Sequence, residues 1–177
     1  MDFRLLWSRM LRASKLDINL YEEVEADQDA LGQAGIVVIL SSLAAGLGGM
    51  SQGGALGLLV MTVGALVSWC VWAYLTYLVG TRLLPEPQTR ADFGELLRTI
   101  GFSSSPGVVR IFGIVPGLAG LANLIGGIWM LIAMVIAVRQ ALDYRSTWRA
   151  VGVCGIGWLV QALILLLLIA LLRTGAA

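Results

Sequence analysis

Residues 100–123 read IGFSSSPGVVRIFGIVPGLAGLAN. Two prolines ten residues apart, three consecutive serines and one arginine, Arg110, interrupt an otherwise apolar segment. How this stretch is threaded decides how many times the chain crosses a bilayer. Around it, 58% of the 177 residues are hydrophobic and 13% charged, with a mean hydropathy of +0.86. A soluble domain of this length could not hide so much apolar surface from water, whereas a bilayer can. At about 20 apolar residues per helical span, there is room for four to six spans and little else.

Topology follows from the basic residues. If residues 1–33, 82–110 and 139–149 share one side, eleven of the twelve Lys and Arg lie there, and only Arg173 lies opposite. All acidic residues fall on that side too, which the positive-inside rule assigns to the cytoplasm. The segment from Arg98 to Arg139 then leaves and returns on the same side. The forty residues from Ile100 to Arg139 give about 60 Å of helix, enough for two crossings of a core about 30 Å thick. Pro116 and Gly117 mark the hairpin turn between them. The serines supply either a helix start, with Ser105 capping and Pro106 in the first position, or a kink in a helix already begun. Arg110 is placed near the inner end. Its arm can snorkel there and avoid the cost of about 2.5–3.5 kcal/mol at the bilayer centre.

The expected fold is an all-α integral membrane bundle of about five transmembrane helices with an N-terminal amphipathic helix. Residues 1–33 form a cytoplasmic arm and 34–172 the five-span domain, in the cell (inner) membrane with the N-terminus in and the C-terminus out. Spans are expected over about 34–50, 56–79 and 151–172, with another closing near Val138. In the arm, Phe3, Leu6, Trp7, Met10 and Leu11 share one helical side and Arg4, Ser8, Arg12 and Lys15 the other, a cationic amphipathic pattern suited to a membrane face. Its interspersed charges do not have the layout of a secretory signal. The acidic run that follows includes Glu23, Asp27 and Asp29, which could share a cation. More plainly, they meet the positive end of a helix dipole. Asp92 with Glu95 resembles a capping box, opening a short interfacial helix with Phe93, Leu96, Leu97 and Ile100 on one face. Trp69 and Trp72 are expected to wedge between helices.

The ordered segments LYEEVEADQDALGQA, SWCVWAYLTYLVGTRLL, FGELLRTIGFSSSPGVV, IVPGLAGLANLIGGIWMLIAMVIAVRQALD and RAVGVCGIGWLVQAL resemble the bacterial branch of the Yip family over about residues 17–165. These are five-span membrane proteins whose eukaryotic relatives bind Rab GTPases. The resemblance implies the architecture more than a mechanism. Those relatives carry a DLYG-like motif on a longer arm, where this chain has NLYEE.

Histidine is absent, which removes the commonest acid–base group and metal ligand. Ser103 to Ser105 have no histidine base to activate them, and no phosphate-binding loop or Cys-x-x-Cys is present. Cys70 and Cys154 lie in apolar runs as small thiols. The net charge of +1 offers nothing to nucleic acid. No enzyme activity, cofactor or metal is expected. The first functional reading is an adaptor, scaffold or small subunit that contacts the bilayer and a protein partner, with Asp17, Tyr21, Glu22, Glu23, Arg139, Asp143 and Arg145 as candidate contacts. The second is a small transporter or channel, with Arg110, Asn123 and Gln161 as intramembrane polar groups. No acidic residue or lysine lies deep in a span, so an ion-coupled mechanism lacks parts.

Overall fold

The computed structural model describes residues 2–48 and 54–174, and these form helices joined by turns and loops, with no strand among them. Seven α-helices follow in order: α1 (Phe3–Ser14), α2 (Ile18–Ala26), α3 (Ala30–Gly48), α4 (Gly54–Leu78), α5 (Phe93–Ser103), α6 (Ala119–Ala141) and α7 (Thr147–Thr174). A π-helical turn (Val79–Leu83) prolongs α4, and a ten-residue 3-10 helix (Ser105–Ile114) follows α5.

Among the described residues, four segments are long and apolar enough to cross a membrane: Ala30–Gly48, Gly54–Leu83, Ala119–Ala141 and Thr147–Ile164. None of the apolar window of α4 is buried. Leu56, Leu59, Val60 and Val67 stand 58–71% exposed along it, a surface that only lipid or another apolar partner can cover. This is a multi-pass membrane protein.

About five spans are expected and four helices qualify; between the second and third of these the chain forms a broken helical segment, α5 and the 3-10 helix. It runs beside α3, with Gly101 against Ala34, Gly107 against Ser41 and Gly113 against Gly48. The α3 residues are seven apart, two turns at 3.6 per turn. Gly107 and Gly113, both in the 3-10 helix, are six apart, two turns at 3.0 per turn, while Gly101 belongs to the last turn of α5. Each helix therefore returns a small residue to the shared seam, and the backbones meet there. A Cβ on Gly113 would stand 2.5 Å from the Gly48 carbonyl oxygen, and one on Gly48 would overlap the carbonyl oxygen of Arg110.

The short helix α5 is packed into the protein. Leu96, Ile100 and Phe102 are almost fully buried, and so are Arg98 and Thr99. The capping box is present as read: Asp92 Oδ1 accepts from Glu95 N at 2.9 Å, and Glu95 Oε2 from Asp92 N at 2.8 Å. Ser105 does not cap. Its hydroxyl donates to the Phe102 carbonyl at 2.7 Å, so the serines and Pro106 mark a change of helix type, the kink alternative. Gly117 makes the following turn with φ of +84°, a region glycine enters without strain.

The starts of α3, α5 and α7 gather at one end of the bundle with the ends of α4 and α6. The arm is docked on that end. Leu6, Met10, Leu20, Tyr21 and Val24 share a core with Ala34, Val37, Phe102 and Ala137. The apolar stripe of α1 is thus divided: Leu6 and Met10 are buried on the protein, while Phe3, Trp7 and Leu11 stay 45–73% exposed. The expected spans reappear with shifted ends, and positions 49 and 50 of the first lie outside the described residues.

Candidate functional site

Two regions gather polar groups, one at the charged end and one inside the bundle. At the charged end, Arg9 is 4% exposed. Its Nε donates to Glu23 Oε1 at 2.9 Å, Nη1 to Gln33 Oε1 at 3.0 Å and Nη2 to Asp27 Oδ2 at 2.7 Å. One guanidinium thereby clamps α1 to α2 and to the first turn of α3. Arg12 adds bonds to Asp17 Oδ2 at 2.8 Å and to Glu23 Oε2. Arg98, from α5, donates to the carbonyl oxygens of Val24, at 2.9 Å, and Glu25, satisfying orphan groups at the end of α2. Trp129 Nε1 reaches the Ser14 carbonyl at 2.8 Å.

These contacts sort the seven candidate contact residues. Asp17 caps α2 and pairs with Arg12. Hydrogen bonds from Arg12 hold its carboxyl below the usual range. Glu23 is taken by Arg9 and Arg12; burial pushes its carboxyl up, but the two guanidiniums outweigh that and leave it lowered. Asp27 is lowered by Arg9, so Glu23 and Asp27 hold an arginine where a shared cation was the alternative. Tyr21 is fully buried with no partner for its hydroxyl, and burial raises it above its ordinary value.

Glu22, Arg139, Asp143 and Arg145 instead surround an open cleft of about 630 Å³ together with Glu25, Glu95, Gln140 and Tyr144. Gln140 Nε2 donates to Glu22 Oε1 at 2.8 Å and Arg139 Nε to the Tyr144 carbonyl at 3.2 Å. Four carboxyl groups (Glu22, Glu25, Glu95, Asp143) face two guanidiniums (Arg139, Arg145), so acidic groups outnumber basic ones. Burial raises Glu25 to about 7, helped by the charges of Glu95, Asp143 and Glu22 and opposed by Arg98.

Below the cleft, Tyr144 latches the π-turn. Its hydroxyl lies 3.0 Å from the Gly80 carbonyl and 2.7 Å from that of Leu84. Carrying one proton, it donates to one of them at a time. Glu86 ties the same loop to α7 through Arg149 Nε at 3.3 Å and the Arg145 backbone N–H at 3.1 Å.

The second region is a cavity of about 390 Å³ between the helices. Here the expected place of Arg110 is corrected. Its backbone lies beside Gly48, the last residue of α3, and its side chain packs on Gly126 of α6. It therefore sits in the half of the bundle away from the charged end and turns inward to line the cavity. The reason is the helix type: a 3-10 helix advances about 2.0 Å per residue against 1.5 Å. Gln161 lines the same cavity and donates to Ser68 Oγ at 3.1 Å. Asn123 does not join them; it is exposed on α6 and donates to the Ala119 carbonyl at 2.9 Å. Trp69 and Trp72 do wedge between helices: Trp69 Nε1 donates to the Leu97 carbonyl at 3.0 Å, and Trp72 is buried against Gly157 of α7.

Sequence reading missed Arg9 and Arg98. The signal was available in retrospect: each lies one turn of helix from a residue of the buried stripe, Arg9 beside Leu6 and Met10 and Arg98 beside Leu97 and Phe102. No curated protein and no solved structure matches the chain. The family model described as Yip1 domain matches residues 20–169, the span from the acidic arm through most of α7. With that match covering most of the sequence, and with the helical membrane bundle it carries, the chain belongs to the Yip1 domain family.

Proposed function

We propose that the protein is a non-enzymatic adaptor or scaffold in a membrane complex, holding a cationic segment of a partner protein in the cleft at its charged end. The observation that carries this reading is the cleft itself. Glu22, Glu25, Glu95 and Asp143 outnumber Arg139 and Arg145 around an open space of about 630 Å³, and its walls come from elements cross-braced by Arg98 and Gln140. A rigid, net-acidic recess at a membrane surface favours a basic partner by electrostatic complementarity. In this reading residues 1–33 are a cytoplasmic arm and 34–172 the membrane domain, in the cell membrane with the C-terminus outside. The placing of the arm, the cleft and the loop arginines at one end supports that orientation through the positive-inside rule.

The test is purification in mild detergent with identification of co-purifying chains. A stoichiometric partner should be retained by the wild type, lost from a Glu22→Lys/Asp143→Lys variant and lost at high salt. A partner that survives both challenges sinks the reading. A second reading, a small solute transporter, draws on Arg110 and Gln161 sharing one interior cavity. A lone monodisperse protein that exchanges solute in liposomes would favour it.

A further inference from the structure

We propose that the interior cavity is a binding site for the anionic head of an amphiphile, a phosphate or carboxylate pairing with Arg110 while its chain leaves between α4 and α7. This goes beyond the adaptor reading and uses the other end of the molecule.

Three observations converge on it. Arg110 Nε is sealed from solvent and bonds to nothing among the described residues. Trp72 Nε1, on the same cavity, is likewise buried without an acceptor. Two unfilled donors on residues that line one cavity, one of them cationic, ask for an acceptor-rich ligand. Among the described residues no carboxylate lines the cavity to supply it. The other polar groups on its wall are serine hydroxyls and the Gln161 amide, which can complete the shell of an anion but cannot neutralise a guanidinium. The planar guanidinium fork matches phosphate and carboxylate.

Size and shape point to an amphiphile. About 390 Å³ lies near the lower end of ligand pockets. That is room for a headgroup and its first methylenes, not for two acyl chains. Met61 and Trp158 form part of the wall while standing 49% and 66% exposed on the outside of the bundle. The cavity edge therefore reaches the lipid-facing surface between α4 and α7, where a chain can exit. The packing of Arg110 on Gly126, whose added Cβ would meet Arg110 Cγ at 2.9 Å and Nε at 3.2 Å, keeps the arm turned inward.

The full chain in neutral detergent is unfolded thermally with phosphatidylglycerol, phosphatidylcholine or soluble glycerol 3-phosphate added. Phosphatidylglycerol should raise the midpoint of the wild type and phosphatidylcholine should not. Arg110→Gln should weaken the response about tenfold in lipid concentration. Arg110→Lys should keep part of it, and Arg90→Gln at the charged end all of it. Ala65→Leu, which narrows the cavity without touching Arg110, should weaken it and serves if Arg110→Gln does not fold. Equal protection by glycerol 3-phosphate would keep the anion site but assign it to a free anion. An unchanged phosphatidylglycerol response in both Arg110→Gln and Ala65→Leu overturns the proposal.

Discussion

The guanidinium of Arg98 donates to the Val24 carbonyl across 2.9 Å, joining the acidic arm to the interior of the membrane bundle. Arg98 is 7% exposed and spans 74 residues of chain to make this bond. Arg98→Met should free α2 while leaving the membrane helices intact. Hydrogen–deuterium exchange should then rise in residues 18–26 and stay unchanged in α6.

Arg9 is a stronger case, because its partners are themselves charged. Removing one member of a fully buried ionic cluster costs about 3–5 kcal/mol. Here the Glu23 and Asp27 side chains are 36% and 32% exposed and Glu23 keeps Arg12, so the loss is smaller than that. Arg9→Ala should lower the thermal midpoint in detergent. A variant with midpoint and exchange pattern equal to wild type would show that the clamp carries no stability.

Tyr21 carries a buried hydroxyl with no partner, and such a group costs about 1–3 kcal/mol. Tyr21→Phe should hold or raise the midpoint, and by its burial should leave partner capture unchanged. Tyr21→Ala should lose about 3–5 kcal/mol as a cavity.

The pH response has two opposed parts. Asp17, Glu23 and Asp27 have carboxyls held below their ordinary values of 3.8, 4.5 and 3.8. The stability they contribute is present above those values and lost as pH falls through the lowered ones. Glu25 runs the other way: raised from 4.5 to about 7, it keeps its proton in the folded state while the unfolded chain has lost it. Stability therefore declines as pH climbs from 4.5 to 7. Glu25→Gln should exceed wild type in thermal midpoint at pH 8 and lose that advantage toward pH 4.5.

The seam between α3 and the 3-10 helix should tolerate no side chain. Gly48→Ala and Gly113→Ala place a Cβ against backbone and should abolish monodisperse purification. Gly127→Ala, where nothing lies within 4 Å, should behave as wild type.

What the sequence disclosed follows the range of each interaction. The Asp92/Glu95 box and the Pro116–Gly117 turn were readable because their partners are at most three residues away. The apolar helices were readable because length and composition suffice. Arg9 and Arg98 were not, because on an amphipathic pattern an arginine reads as solvated until helices from elsewhere enclose it. Arg110 was misplaced because residues 105–114 carry no local mark of a tighter, longer-striding helix beyond Pro106. In the cleft, Glu22, Arg139, Asp143 and Arg145 were singled out from the sequence, but Glu25 and Glu95 joined them only through the packing of α2 and α5.

The pairing of Ala34, Ser41 and Gly48 with Gly101, Gly107 and Gly113 works like a vernier with two unequal scales. From Ser41 to Gly48 seven residues of α-helix advance about 10.5 Å, and from Gly107 to Gly113 six of 3-10 helix advance about 12 Å, while Gly101 still belongs to α5, so the marks coincide over a few divisions and then drift apart. The length of this passage is consequently metered by the mismatch. One residue inserted or deleted in either strip would displace each small residue from its opposite number, and neither strip can be extended by repetition.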